Sequence, residues 1–414
     1  MSTTSSCIIN LSKIKEFNEL LYNNNNNNID NNAVTNLLKI NKSECKMSDN
    51  QIYKVISYNK NMLNKDLFAS YGLCRSVIAN VNNKVIGFAP PKSITSEEFI
   101  SKYPIKNENI VAEEFVEGTM INVFWNDQIG TTGGWEFATK NTVGATSIFY
   151  KTQKSKTFRM MFEEALQESK LNIDSLNRDY CFSFVLQHPE NRIVIPFKTP
   201  QLYLVAMYRI DNSDPQNILV YKCNINSHER SRLDYTSISY PQVYSWNNYA
   251  ELIEKYASLN TSYDVLGVIL YNTQTGERTK IRNPVYEEVK KLRGNQPKLQ
   301  YQYLSLRKEG QVKDYLRYYP ENKNEFTKFR NQIHVFTNTL FINYVSCYIK
   351  KEKPLLEFAE QYRTHMFNIH QIYVNELKEN KLFVTTQTVI NYVNNLHPSL
   401  LMHCLNFDMK QLTK

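Results

Sequence analysis

The stretch Glu113-Glu114-Phe115-Val116-Glu117-Gly118-Thr119-Met120-Ile121-Asn122-Val123-Phe124-Trp125 decides how this chain is read. Side chains alternate along an extended strand, so Glu113, Phe115 and Glu117 fall on one face. Glu117-Gly118 interrupts the run, and Met120 to Trp125 resumes it as a second strand. A segment of this kind belongs to a sheet, and the sequence on both sides has the same texture.

Upstream, Leu73 to Asn80 and Val85 to Ala89 are apolar runs split by Val81-Asn82-Asn83-Lys84, which predicts a hairpin with Asn-Asn at its turn. Pro90-Pro91 ends the second run, and Ser96 to Ile100 predicts a short helix with a serine cap. Asn109 to Val116 returns to strand. Downstream, Gly133-Gly134 predicts a turn and Trp135 to Lys140 a strand. Thr157 to Ser169 predicts a helix with Phe158, Met161, Phe162, Ala165 and Leu166 on one face. Tyr180 to Leu186, Ile193 to Phe197, Leu202 to Ile210, Ile218 to Tyr221 and Leu266 to Tyr271 read as further strands. So many strands with few long helices predict an antiparallel-rich α+β domain.

Past Pro284 the pattern changes. Tyr286 to Leu292 is helical, and Glu325 to Ile349 carries Phe326, Phe329, Ile333, Phe336, Leu340, Tyr344 and Tyr348 at three- and four-residue steps. Leu355 to Leu377, Thr388 to Leu396 and Ser399 to Leu412 complete an all-helical region. The boundary falls near residue 310, giving a domain over 51–310 and a helical domain over 311–414. Residues 1–50 hold six consecutive asparagines, Asn23 to Asn28, and polar flanks. They read as a low-complexity flexible arm, with a short amphipathic helix around Ile14 to Tyr22.

At 414 residues with 42% hydrophobic and 13% aromatic content, the chain has material for two packed domains. The formal charge of +9, from 49 basic and 40 acidic residues, suits a polyanionic partner without demanding one. The seven cysteines are scattered and form no C-x-x-C pair, which argues against a disulfide framework or zinc knuckle and for a reducing, intracellular compartment, cytoplasmic or nuclear. The sequence predicts neither secretion nor membrane spanning, since no window reaches eighteen apolar residues. The histidines sit at no metal-ligand spacing, and neither G-x-x-x-x-G-K-[ST] nor G-x-S-x-G occurs.

Separated segments between residues 60 and 300 form one ordered pattern. Leu73-Cys74-Arg75-Ser76-Val77-Ile78-Ala79 resembles the opening strand of the nucleotidyltransferase domain of phage-type ATP-dependent RNA ligases, where Arg-Gly precedes an apolar strand. Phe115-Val116-Glu117-Gly118-Thr119 resembles that family's K-x-D/E-G-S motif. Phe182-Ser183-Phe184-Val185, with Pro189-Glu190-Asn191-Arg192-Ile193-Val194, resembles its F-E-x-V and P-x-N-R-I-V segments. Leu266-Gly267-Val268 is similar to its E-G-V strand, and Lys280-Ile281-Arg282 to its closing K-x-K.

In that family the motif lysine attacks the α-phosphate of ATP, and the resulting adenylate passes to an RNA 5′-phosphate. Such chemistry needs an amine nucleophile, carboxylates that hold a divalent metal, and cations that offset charge on the departing pyrophosphate. Here Phe115 stands at the lysine position, Ser183 at one carboxylate and Leu266 at another, so the resemblance implies that the usual covalent route is absent. The residues that still match imply a nucleotide- or phosphate-binding set of Arg75, Glu117, Lys140, Arg192, Lys280 and Arg282. Lys92, held by Pro90-Pro91, and Lys140 are candidate substitute nucleophiles. No metal-ligand set is predicted; ATP is the nucleotide implied, and Mg or Mn only for a catalytic chain.

A second constellation, Lys290, Lys291, Arg293, Lys298, Tyr301, Tyr303, Arg307 and Lys308, interleaves cations with tyrosines. It suits RNA, with cations on phosphates and rings on unstacked bases. The bland reading of such a run is a solvated amphipathic helix. Three functional readings stay open: a catalytically degenerate module binding RNA or nucleotide in a basic cleft, which is favoured; an active RNA ligase or end-processing enzyme with a relocated nucleophile; and a structural or assembly protein with a filled cleft.

Overall fold

The computed structural model describes residues 7–22, 39–47, 51–149, 155–225 and 232–407. The asparagine tract 23–28 lies outside them, as does the end of the expected final helix. The chain divides into two compact units, Met1–Glu288 and Val289–Lys414.

The first unit is built from three antiparallel sheets. The six-stranded sheet runs in the order Ile8–Asn10, Leu219–Cys223, Gln201–Asp211, Tyr180–Gln187, Thr119–Asn126, Gly134–Ala138. A four-stranded sheet has the order Val243–Tyr244, Ile110–Glu114, Gly267–Asn272, Arg278–Arg282. The third joins Ile40–Lys46, Ile52–Tyr58, Val77–Ala79 and Val85–Phe88. Alternation assigns the faces. Ile121, Val123, Phe182, Phe184 and Leu186 lie in one core with Met161, Phe162 and Ala165 of helix Phe158–Glu168. Phe124, Cys181, Ala206 and Tyr208 join another core with Val77, Ile78 and Val85 of the third sheet.

The hairpin forms as the sequence predicts. Asn83 takes a left-handed φ of 61°, and the Asn80 side chain accepts from the N–H groups of Asn82 and Lys84 at 3.1 Å each. Thr95, one residue before the expected serine, caps helix Ser96–Lys102 by accepting from the Glu98 N–H at 3.2 Å.

Three expectations need correction. The arm expected over 1–50 is in part a core element: Ile8–Asn10 is the edge strand of the six-stranded sheet, and Leu11, Ile14, Phe17 and Leu21 are buried. Their three- and four-residue steps supply one apolar stripe, which holds this segment where its polar neighbours could not. Ile40–Lys46 likewise pairs with Ile52–Tyr58 along its whole length. Second, Ile193 to Phe197 is not a strand, because Glu117 takes its backbone N–H groups, as described below. Third, the division falls at 288/289 and not near 310. Helix Leu299–Lys308 belongs to the helical unit, where Tyr303 packs against Phe326 and Phe329 with ring centroids 4.9 and 5.9 Å apart.

The second unit also contains Val312–Tyr318, Lys323–Tyr344, Glu360–Ile372, Thr386–Asn395 and Pro398–Leu405. Phe326, Ile333, Phe336, Leu340 and Tyr344 of its long helix are buried at the predicted steps. His365 is a core histidine, 2.8 Å from the Tyr392 hydroxyl and 3.0 Å from the Cys404 sulfur. Among the described residues no helix is long and apolar enough to cross a membrane.

Candidate functional site

The four-stranded sheet of the first unit separates apolar from charged residues by register alone. Glu113 lies opposite Ile269, and Ile269 opposite Lys280; Tyr271 lies opposite Arg278, and Gly267 opposite Arg282. Ala112, Val268, Leu270 and Ile281 therefore share the face that packs into a core with Phe99, Trp246 and Leu252. The other face carries Glu113, Phe115, Tyr271, Arg278, Lys280 and Arg282. It is turned toward the six-stranded sheet: Lys222 places its ammonium nitrogen 3.8 Å from the centroid of the Tyr271 ring.

Phe115, at the end of its strand, donates its N–H to the Gly267 carbonyl at 3.4 Å. The Lys280 Nζ lies 4.5 Å from the centroid of its ring, and the Arg282 guanidinium 5.8 Å. Burial, then the charges of Arg278, Arg75, Arg282 and Lys92, lower the Lys280 pKa to about 6. Burial and Arg75 likewise pull Arg278 below its ordinary value. Among the described residues no carboxylate forms a salt bridge with Arg75, Arg278 or Lys280. Glu113 is the acidic side chain whose field reaches Arg278, and burial raises its own pKa. A cavity of about 730 Å³ opens on Lys92 and Arg278, with Phe68, Ile94, Lys13 and Glu277 in its wall. That volume is in the range of small-molecule sites.

The predicted residues thus divide into groups. Arg75, Lys92 and Arg282 each act electrostatically on Lys280, and Lys280 and Arg282 lie over the Phe115 ring. Arg282 is also exposed and pairs with Glu287 at 2.6 Å. Lys92 sets its amine over the Phe68 ring at 4.3 Å, and Lys140 over the Tyr58 ring at 4.4 Å. Glu117 is buried and holds a loop: its carboxylate accepts from the N–H of Val194 at 3.0 Å and of Ile195 at 3.1 Å. Burial raises its pKa, while the Tyr286 hydroxyl and these N–H groups hold it back. Arg192 lies in the same loop and donates from Nε to the Val194 carbonyl at 2.9 Å. Arg278 and Lys222 were missed in the sequence reading. Arg278 stands two residues before Lys280, so the strand period alone places both on one face.

The two altered carboxylate positions are closed. Ser183 is fully buried and donates to Asn122 Oδ1 at 2.8 Å, directly across the strand pair. Leu266 is buried, 7% exposed. Among the described residues no three of His, Cys, Asp or Glu could together hold a metal ion. This donor set does not fit a protein-held Mg or Mn.

In the second constellation, Lys290, Lys291 and Arg293 lie in helix Pro284–Arg293, which runs across the division. Lys298 precedes helix Leu299–Lys308, which carries Tyr301, Arg307 and Lys308. Lys291, Lys298 and Lys308 are exposed, Lys290, Arg293 and Tyr301 half-buried, and Arg307 donates to Asn394. Tyr303 is buried among aromatic rings and is not available to a base.

The first unit thus presents a basic face between antiparallel sheets, beside the Phe115-Val116-Glu117-Gly118-Thr119 segment that resembles the RNA-ligase motif. In sequence the chain is similar to a phage RNA ligase. An RNA ligase of Rhodothermus phage RM378 is 23% identical over 303 residues, which cover 66% of this chain and 66% of that protein, just under two thirds of each. No family model matches. Among solved structures, an archaeal ATP-dependent RNA ligase aligns over 92% of this chain and 77% of its own, at 10% identity and a TM-score of 0.37. A variant of the Naegleria gruberi RNA ligase, solved with ATP and Mn, aligns over 50% of this chain and 59% of its own, at 13% identity and a TM-score of 0.35.

Proposed function

We propose that the cation-bearing face beside Phe115 binds the phosphates of a nucleotide or of an RNA end, and that the chain is degenerate for the usual ligase route. The observation that carries this is the gathering of Arg75, Lys92, Arg278 and Lys280 with no carboxylate salt-bridged to Arg75, Arg278 or Lys280 among the described residues. Desolvating several like charges together is unfavourable by several kcal/mol unless an anion offsets them. A phosphate group is such an anion; Lys92 and Arg278 also border a cavity of about 730 Å³, whose wall does not include Phe115, Arg75 or Lys280. The usual route needs a lysine at 115 and carboxylates at 183 and 266. A ring, a sealed hydroxyl and a buried leucine replace them.

In the helical unit, Lys291, Lys298 and Lys308 supply an exposed basic surface for RNA phosphates. The filled-cleft alternative is disfavoured by the gathering of cations itself, which a purely structural site would have no reason to keep together. The test is fluorescence anisotropy with ATP and with a 5′-phosphorylated RNA oligonucleotide at low salt. Binding by the intact chain, weakened about tenfold or more by Arg75→Ala with Arg278→Ala, is the expected result. An intact chain that binds neither ligand refutes the reading.

A further inference from the structure

We propose that Lys280, and neither Lys92 nor Lys140, is the chain's substitute nucleophile, the amine placed to attack the α-phosphate of a nucleoside triphosphate. This rests on the reading of the cleft as a nucleotide site. It goes beyond that reading by assigning a covalent step and the atom that takes it.

Position comes first. Phe115 occupies the place of the family's lysine, and the amine lying over its ring, 4.5 Å from the centroid, belongs to Lys280. An amine is thus restored within a few ångströms of where a lysine at 115 would present one, reached from the next strand but one instead of from the motif strand. Lys92 and Lys140 direct their amines to the rings of Phe68 and Tyr58. Neither lies over Phe115.

Protonation state comes second. An ordinary lysine is protonated at neutral pH and has no lone pair to give. Among the described residues Lys280 forms no salt bridge; it is half-buried and feels Arg278, Arg75, Arg282 and Lys92, and burial and these charges together favour its neutral form. The Phe115 ring opposes this, since a π face favours a cation by about 0.5–2 kcal/mol. That is smaller than the combined effect of burial and four like charges. Glu113, on the same face across Ile269, bears on Arg278 and Lys222.

The step balances without a redox partner. The Lys280 Nζ lone pair forms a P–N bond to the α-phosphorus; the bond from that phosphorus to the oxygen bridging to the β-phosphate breaks, and pyrophosphate leaves with the electron pair. The nitrogen loses one proton to water and becomes a phosphoramidate carrying the nucleoside monophosphate. Arg75, Lys92, Arg278 and Arg282 are the groups available to offset charge on the departing pyrophosphate.

The experiment incubates the intact chain with α-labelled ATP, with and without Mg²⁺, followed by denaturing electrophoresis and tandem mass spectrometry of the labelled peptide. ATP binding is measured in parallel by equilibrium dialysis. Acid-labile label on Lys280 is expected, falling at least tenfold in Lys280→Arg, whose guanidinium stays protonated at every pH used and cannot attack. The labelling rate should rise from pH 5 and level off near pH 7. Independently of turnover, competitive acetylation should show Lys280 reaching full reactivity well below the pH at which exposed lysines do. Label mapping to another residue, label persisting in Lys280→Arg, or ATP binding with no label at any pH from 6 to 9 overturns the proposal and leaves the binding reading standing. A chain that does not bind ATP overturns the proposal, and the reading of an RNA-end site then stands or falls on the RNA arm of its own test.

Discussion

Replacing Lys280 with methionine should make the first unit more stable at neutral pH, the reverse of what removing a half-buried charged side chain from a set of native contacts normally does. Burial and four neighbouring cations lower the Lys280 pKa from 10.5 to about 6. The unfolded chain binds a proton at this site up to about pH 10, whereas the folded chain gives it up above about pH 6. Between those values the unfolded state holds more protons, so wild-type stability rises with pH, and at pH 7 the lysine costs about 3–5 kcal/mol. Methionine has similar length, no charge and a flexible thioether that fits beside the Phe115 ring. Lys280→Met should recover most of that cost at pH 7, and the gain should shrink by about 1.4 kcal/mol per pH unit toward pH 10. Urea denaturation at several pH values measures it. All three tryptophans, Trp125, Trp135 and Trp246, lie in the first unit, so their fluorescence follows that unit without interference from the helical one. A gain independent of pH, or a variant less stable than wild type at pH 7, refutes the argument that Lys280 is held neutral by its surroundings.

Gly118→Ala should destabilise the first unit by about 2 kcal/mol or more, seen as a lowered urea midpoint. Gly118 has φ 148°, and a Cβ there would lie 2.4 Å from the Leu186 carbonyl oxygen. Tyr303→Ala should cost the helical unit about 3–5 kcal/mol by leaving a hole against Phe326 and Phe329, while Tyr301→Ala, at a half-buried site, costs less; thermal melts followed by circular dichroism compare them. Lys291→Ala, Lys298→Ala and Lys308→Ala combined should lower the slope of log affinity for single-stranded RNA against log salt by about 2, measured by anisotropy. An unchanged slope removes these three residues from any RNA surface.

What could be read in the sequence was what periodicity records. Two-residue alternation located the strands around Phe115, and three- to four-residue steps located the long helix carrying Phe326 to Tyr344. What escaped was decided by partners distant in the chain. Ile8–Asn10 reads as polar tail until Leu219–Cys223 is there to pair with it. Ile193 to Phe197 has the composition of a strand, but a buried carboxylate more than seventy residues away captures its N–H groups. Tyr303 looks like a base-stacking ring because nothing in its neighbourhood reveals Phe326. At the site, the cation positions could be matched one by one, but their mutual effect could not, since it depends on how deeply Lys280 is buried and on Arg278, which no motif marks.

The altered residues and the altered electrostatics are connected. A site that lost its nucleophile alone would keep its carboxylates, and a ligand-free cleft would be balanced by them. Here Ser183 spends its hydroxyl on Asn122, Leu266 is buried, and Glu117 is committed to the Val194–Ile195 backbone, so the acidic side of the site is neutral or engaged while the basic side persists. A set of cations with Glu113 as the acidic side chain in reach has two ways to lower its free energy: bind an anion, or release a proton from its weakest acid-base member. Guanidinium groups hold their protons far more tightly than an amine, which leaves Lys280 as the group that yields. The same loss of carboxylates that removes the usual metal site therefore creates, at Lys280, the neutral amine that the Phe115 strand no longer supplies.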